Sequence, residues 1–383
     1  MKKILIILSF AGIFSCSTNK ESSNNPLDYL IDTKIIPIDR KTDTYTRTLQ
    51  YVDGNLYWWN PNRETISIFD LSKKILINTI KIERDGPNGL GNPLGFYVLN
   101  ADSIYIPTMA YELSLINSKG KWVADYDYHN YSKLGVLAAS MTRYSNMIET
   151  NNAGILYLII RDLEILSPSD LNEEALQNYP PILSFNTLTG NFEYLNFKTP
   201  SSLLKFKNFI NFGVTATTSK MLLLNYQSNT LIEVDFNGID YKEYNLDSEL
   251  IKNFSNEYYN SSRMSQSIDE NIRMSFVSSK NLGLYFDSYK NLLYRFGWPG
   301  EEIKKDEDPM QFSSSPTYFT ISIYDPSDFS LIKEFILPRN TYLAHHYFVN
   351  DKGLNLFPMH PNNAEFNEDE MVIHTFDFSS LKP

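Results

Sequence analysis

The chain has a single cysteine, Cys16, in 383 residues. No disulfide can form within it, so its core must hold without covalent staples. Basic residues are the minority, 34 Lys and Arg against 45 Asp and Glu. The resulting net charge of −11 disfavours nucleic acid and anionic membrane surfaces as partners. The apolar run from Ile4 to Phe14 is too short to span a bilayer as a helix, and no later segment reads as membrane-spanning. Catalytic signatures are also missing. There is no Gly-x-Ser-x-Gly elbow, no His-Glu-x-x-His pair, no cysteine nucleophile and no pair of carboxylates arranged for acid–base work. The acidic tracts Glu301 to Asp308 and Glu365 to Glu370 lack the spacing of a calcium loop, so neither a metal nor a cofactor is expected.

What is present begins with an export leader. Lys2 and Lys3 precede the apolar run, and Ile13-Phe14-Ser15 leads into Cys16. The small Ser15 suits a peptidase subsite before a cleavage point, and the following thiol is what bacterial diacylglyceryl transfer modifies. The pattern resembles a lipobox, with Phe14 departing from the small or aliphatic residue usual at its place. Residues 1–15 are therefore expected to be a lipoprotein signal peptide, and Cys16 a lipidated residue anchoring the chain to a membrane. Residues 16–30, beginning Cys16-Ser17-Thr18-Asn19-Lys20, are polar and without core formers, as in a flexible tether. The expected location is the cell envelope, at the outer membrane, on its periplasmic or surface face.

Residues 31–383 carry an internal repeat. A short strand ending in Asp or Asn recurs six times, with its marker at Asp70, Asn117, Asn186, Asp235, Asp325 and Asp377. Most markers open a polar turn and a further strand, as in Ser72-Lys73-Lys74 before Ile75. Upstream of each lies a turn and a compact apolar run, for example Asp53-Gly54-Asn55 before Leu56-Tyr57-Trp58-Trp59. A leading strand, an apolar second strand, the marker strand and a fourth strand make a four-stranded antiparallel meander. Six such units predict an all-β fold, a six-bladed β-propeller. The last unit stops just after Asp377, so the unassigned segment Thr33 to Ile38 is expected to supply its fourth strand and close the ring. Marker spacings of 47, 69, 49, 90 and 52 residues place insertions in the two long gaps. They include a capped helix near Ser169 to Leu176, a helix near Ser248 to Tyr259 and a loop from Trp298 to Pro316.

At this point the chain resembles the six-bladed propeller lipoproteins of unknown function from Bacteroidota, with a TolB-like architecture. The lipoprotein start and Asp85-Gly86-Pro87-Asn88-Gly89-Leu90-Gly91, followed by Asp102-Ser103-Ile104-Tyr105, carry the likeness. The resemblance spans nearly the whole chain and implies the fold, while bringing no reaction, ligand or catalytic residue with it.

Candidate ligand-binding residues follow from the sequence alone. Asp85, Gly86, Pro87, Gly89 and Gly91 form a loop whose amides could approach a ligand. It lacks the Gly-Lys-Ser/Thr ending of a phosphate loop, and an inter-blade turn uses the same glycines. Trp298, in a Gly-Trp-Pro-Gly loop, offers a stacking surface for sugar if exposed. His345, His346 and His360 could reach an axial channel, although neighbours in an extended chain point to opposite faces. Tyr57-Trp58-Trp59 is better explained as packing between blades. The favoured reading is a monomeric, non-enzymatic propeller binding an envelope protein or a carbohydrate. The alternatives are a carbohydrate-active hydrolase or lyase and a structural subunit of an envelope complex.

Overall fold

A computed structural model describes residues 24–137, 147–149, 154–161, 173–203, 212–254 and 267–382. Six antiparallel sheets follow one another in a ring. After β1 (Leu30–Pro37), the first sheet is β2 (Leu49–Val52), β3 (Asn55–Asn60), β4 (Thr65–Asp70) and β5 (Ile75–Lys81). The second is β6 (Tyr97–Asn100), β7 (Ser103–Pro107), β8 (Glu112–Ile116) and β9 (Trp122–Asp127). In the third, two pieces, β10 (Val136–Leu137) and β11 (Met147–Glu149), share the inner edge of β12 (Ile155–Arg161), with β13 (Ile182–Asn186) and β14 (Asn191–Tyr194) outside.

The fourth sheet is β15 (Phe212–Ala216), β16 (Lys220–Asn225), β17 (Thr230–Asp235) and β18 (Tyr241–Asn245). The fifth is β19 (Lys280–Asp287), β20 (Leu292–Trp298), β21 (Thr320–Tyr324) and β22 (Leu331–Ile336). The sixth is β23 (Tyr347–Asn350), β24 (Gly353–Leu356) and β25 (Glu370–Phe376), completed from the other end of the chain by β1. The register runs from Leu30 opposite Phe376 to Pro37 opposite Glu370, so the N-terminal strand closes the ring as its spacing predicts.

The repeated marker works through local hydrogen bonding. Asp70 Oδ1 accepts from the backbone amides of Ser72 and Lys73, Asn117 from Lys119 and Lys121, and Asn186 from Leu188 and Thr189. A short acceptor at the end of the third strand thus fixes the turn into the fourth. The Ser72 hydroxyl, the Lys73 ammonium and the Lys73 backbone amide hold the Asp70 carboxylate far below its ordinary range.

Second strands are apolar on both faces because each is sandwiched between blades. Trp58 packs on the side of Ile36, Leu49 and Phe357, whereas Tyr57 and Trp59 pack toward Phe96, Val98 and Ile104 of the second blade. Gln50 on β2 bridges to the inner strand of that blade, its side-chain amide exchanging two hydrogen bonds with the backbone of Val98.

The insertions differ in part from expectation. The described helices are α1 (Glu173–Asn178), α2 (Ile268–Val277) and α3 (Pro309–Ser314). No helix forms over the described part of the stretch expected from Ser248 to Tyr259. There Ser248 Oγ accepts from the amides of Leu250 and Ile251, and Ile251 is buried. The rest of that stretch lies outside the described residues, as does the first half of Ser169 to Leu176, whose second half is the start of α1. No described helix is long and apolar enough to cross a membrane.

Candidate binding face

The antiparallel order divides the loops between two ends of the ring. Inner strands run one way and second strands return, so second-to-third connections and blade-to-blade connections share one end. That end carries the long segments 82–96, 246–279, 299–319, 337–346 and 357–369. The opposite end carries short turns, such as 187–190 and 236–240, and the N-terminal entry at Leu30 beside Phe376. Asp85 to Gly91, Trp298, His345, His346 and His360 all fall at the loop-bearing end.

The Gly-rich loop is self-contained. The amides of Gly89, Leu90 and Gly91 donate to the carbonyls of Gly86, Glu83 and Arg84. A Cβ on Gly89 would lie 2.6 Å from the Arg84 carbonyl oxygen, so this position requires glycine. Leu90 is buried among Ile82, Phe96 and Val98, which pins the loop, while Asp85, Gly86, Pro87 and Gly91 are exposed. These amides serve the turn. The exposed surface of the loop is what a partner can meet.

Trp298 is completely buried, contrary to the expectation of an exposed loop tryptophan. Its indole Nε1 donates to the Phe276 carbonyl at 2.7 Å, and its ring packs against Phe276, Phe312 and Tyr318. It is the floor of a small helical cap. Arg273 of α2 ties the cap together by donating to the carbonyls of Ile303, Lys304 and Glu307. A Ser267–Glu270 capping box starts α2, and Asp308 caps α3.

The histidines do not converge on a reactive centre. His360 bridges two blades through Nε2 to the Ser315 carbonyl at 3.0 Å, and its Nδ1 accepts from the Asn362 amide. His346 is enclosed by Tyr45, Trp58 and Phe357. Its Nε2 accepts from the Thr46 amide at 3.1 Å, which places the ring proton on Nδ1, a buried atom with no hydrogen-bond partner. His345 is likewise buried. No cluster of three potential metal ligands occurs among the described residues.

Burial pushes His346 down to about 3 and lowers His360 and His374 in the same direction. Below the unfolded value of 6.5 the unfolded chain therefore binds protons that the folded chain refuses, and stability falls with pH. For His346 alone the loss is about 2 kcal/mol at pH 5, at about 1.4 kcal/mol per pH unit. Urea midpoints at pH 7 and pH 5 check this. His346→Gln, which keeps an acceptor for Thr46, should remove about 2 kcal/mol of the difference and leave the part due to His360 and His374; an unchanged pH dependence would contradict it.

One functional-looking group escaped the motif reading. Arg295 of β20 is completely buried between the fourth and fifth blades. Its Nε donates to Asn281 Oδ1 and its Nη2 to Asn229 Oδ1, each at 2.7 Å, while Nη1 reaches the Leu246 carbonyl and the Tyr324 hydroxyl. Asn281 is itself held by its amide on the carbonyls of Asn225 and Ser228. Every one of these acceptors is neutral, which suits a latch between blades. A charge in the otherwise apolar run Leu292 to Trp298 was the signal for it.

Residues 18–335 match the family model described as a domain of unknown function (DUF4221). A crystal structure of a member of that family from Bacteroides vulgatus is similar with a TM-score of 0.75 at 20% identity, covering 91% of this chain and 97% of that one. A crystal structure of a candidate exported protein from Bacteroides fragilis is similar with a TM-score of 0.54 at 10% identity, covering 91% and 96%. At these identities the likeness shows the fold. No curated protein matches the sequence.

Proposed function

The chain belongs to the DUF4221 family, and from that premise we propose that it is an envelope lipoprotein whose propeller is a non-enzymatic binding module. In this reading Cys16 carries the lipid, the tether lies within residues 16–30, and the ring engages an envelope protein or a carbohydrate with its loop-bearing end. The supporting observation is the division of the ring. The chain enters β1 at one end, and the long loops with the helical cap stand at the other. A tether on one end leaves the other free to meet a partner. The exposed part of the Gly-rich loop and the outer surface of the cap, including Met310, are the surfaces offered there.

The alternative of a carbohydrate-active hydrolase or lyase needs polar groups converging on an accessible pocket. The buried histidines, spent on blade contacts or enclosed by aromatic rings, give it no support.

Cys16→Ala tests the anchor. The native chain is expected in the membrane fraction with incorporated fatty acid. The variant should be fully folded, unlabelled and soluble. Recovery of both proteins in the same soluble fraction would overturn the anchored reading.

A further inference from the structure

We propose that the flank of the ring where blades one and two meet is a docking surface for an acidic polypeptide. Ile77, Trp122 and Val123 are its apolar centre, and Lys81, Lys119 and Lys121 are its charged margin. This surface is independent of any lipid on Cys16.

Three of the four tryptophans, Trp58, Trp59 and Trp298, are buried, whereas Trp122 is 45% exposed. It opens β9 on the outside of blade two, and Val123, 49% exposed, follows it. The neighbouring outer strand, β5 of blade one, carries Ile77, 48% exposed. The backbone explains the last two. β9 holds one residue more than β8 between the pairs Ile116–Trp122 and Leu115–Ala124, and β5 one more than β4 between Phe69–Leu76 and Ile68–Asn78. The extra residues are Val123 and Ile77. A bulge re-aims side chains and blunts the strand edge against pairing with another strand. A partner therefore meets this flank through side chains. The outer strands β14 and β18 pair without a bulge and expose Glu193, Lys242 and Glu243.

The turn before β9 joins the two strands into one surface. Asn78 Nδ2 of β5 donates to the Ser118 carbonyl. Gly120, at φ +73°, lies so close to β5 that a Cβ there would stand 2.7 Å from the Lys81 carbonyl oxygen. Glycine lets the turn seat on the exit of β5, which brings Lys119 and Lys121 to the side of Lys81. All three lysines are exposed, and none is in an ion pair among the described residues. Asp102, within electrostatic reach of Lys119, already accepts from the Ser118 hydroxyl and amide.

Charge decides the occupant. In a chain with 45 acidic and 34 basic residues, three lysines without ion pairs around an apolar centre reverse the sign locally. A second copy placed back to back on this flank would set lysine against lysine, which repels. A sugar polymer would use the Trp122 ring and leave the aliphatic side chains of Ile77 and Val123 idle. An acidic polypeptide with apolar side chains uses both parts, in the arrangement of an apolar centre and a charged rim that protein interfaces adopt.

The test uses the full chain in nonionic detergent, with a fluorescein-labelled copolymer of glutamate and tyrosine as the probe and anisotropy as the readout. Lys81→Glu with Lys121→Glu should weaken binding at least about tenfold and flatten its salt dependence. Lys198→Glu with Lys242→Glu, the same change of charge at exposed positions elsewhere, should leave binding within about twofold. Ile77→Ser with Trp122→Ser should weaken binding about tenfold and keep the salt dependence, and Val123→Ser, the milder change, should act in the same direction. No binding of the copolymer, or equal losses from the two charge reversals, overturns the proposal. Polygalacturonate bound as tightly as the copolymer, with the same losses, would assign the flank to an acidic polysaccharide and overturn it. So would a doubled mass that Lys81→Glu with Lys121→Glu abolishes, which would assign the flank to a second copy.

Discussion

A chain beginning at Ile38 is expected to lose the single cooperative unfolding transition of the native protein and to self-associate. The missing strand β1 is the outer member of the last blade and pairs with β25 along its whole length. Without it, β25 presents a row of unpaired backbone donors and acceptors, which is a template for pairing with another chain. Ile36 also leaves its buried place beside Trp58, Met371 and Ile373. The ring loses its covalent continuity between the first and last blades, so the lost stability is on the order of the 5–15 kcal/mol that a domain possesses. Circular dichroism melting with size-exclusion chromatography reads the result, and a synthetic peptide of residues 24–37 should partly restore the native profile. An unchanged melting temperature in the truncated chain would show that the last blade stands on three strands.

Arg295→Ala is expected to cost about 3–5 kcal/mol, measured as the shift in denaturant midpoint, because it strands buried acceptors in two blades at once. Asn229 and Leu246 belong to the fourth blade, and Asn281 and Tyr324 to the fifth. Arg295→Lys should recover little of the loss, since one ammonium cannot reproduce a fork that reaches acceptors on opposite sides. Full rescue by lysine would mean that charge alone, rather than the guanidinium geometry, holds the two blades.

The ring was legible in the sequence because its signals are local. A marker such as Asp70 or Asn186 acts on amides two and three residues away, and such turn chemistry repeats wherever the turn repeats. The closing strand was legible for a related reason: a final unit lacking its fourth strand leaves an apolar segment near the start with one place to go. Trp298 was misread because its burial is decided by Phe276 and Phe312, residues of two separate insertions that meet only in the folded chain. The helix expected near Ser248 illustrates the same limit. Ser248 does bind two following amides as a helix cap would, but Ile251 is drawn into the fifth blade beside Gly297. The signal at Ser267 and Glu270, a reciprocal capping box, marked the true start of α2. His346 could be numbered but not placed, since the aromatic cage around it comes from Tyr45, Trp58 and Phe357, residues of the first and last blades.

Photo-crosslinking in intact cells tests most directly the proposed opposition of a lipid anchor and a binding face. A benzophenone side chain placed at Pro87 or Met310, both exposed at the loop-bearing end, should yield a discrete cross-linked species. The same group at Ser72 or Ser327, exposed in turns of the anchor end, should yield none. Adducts confined to Ser72 and Ser327 would contradict the proposal, because the partner would then be held at the end where the chain enters β1.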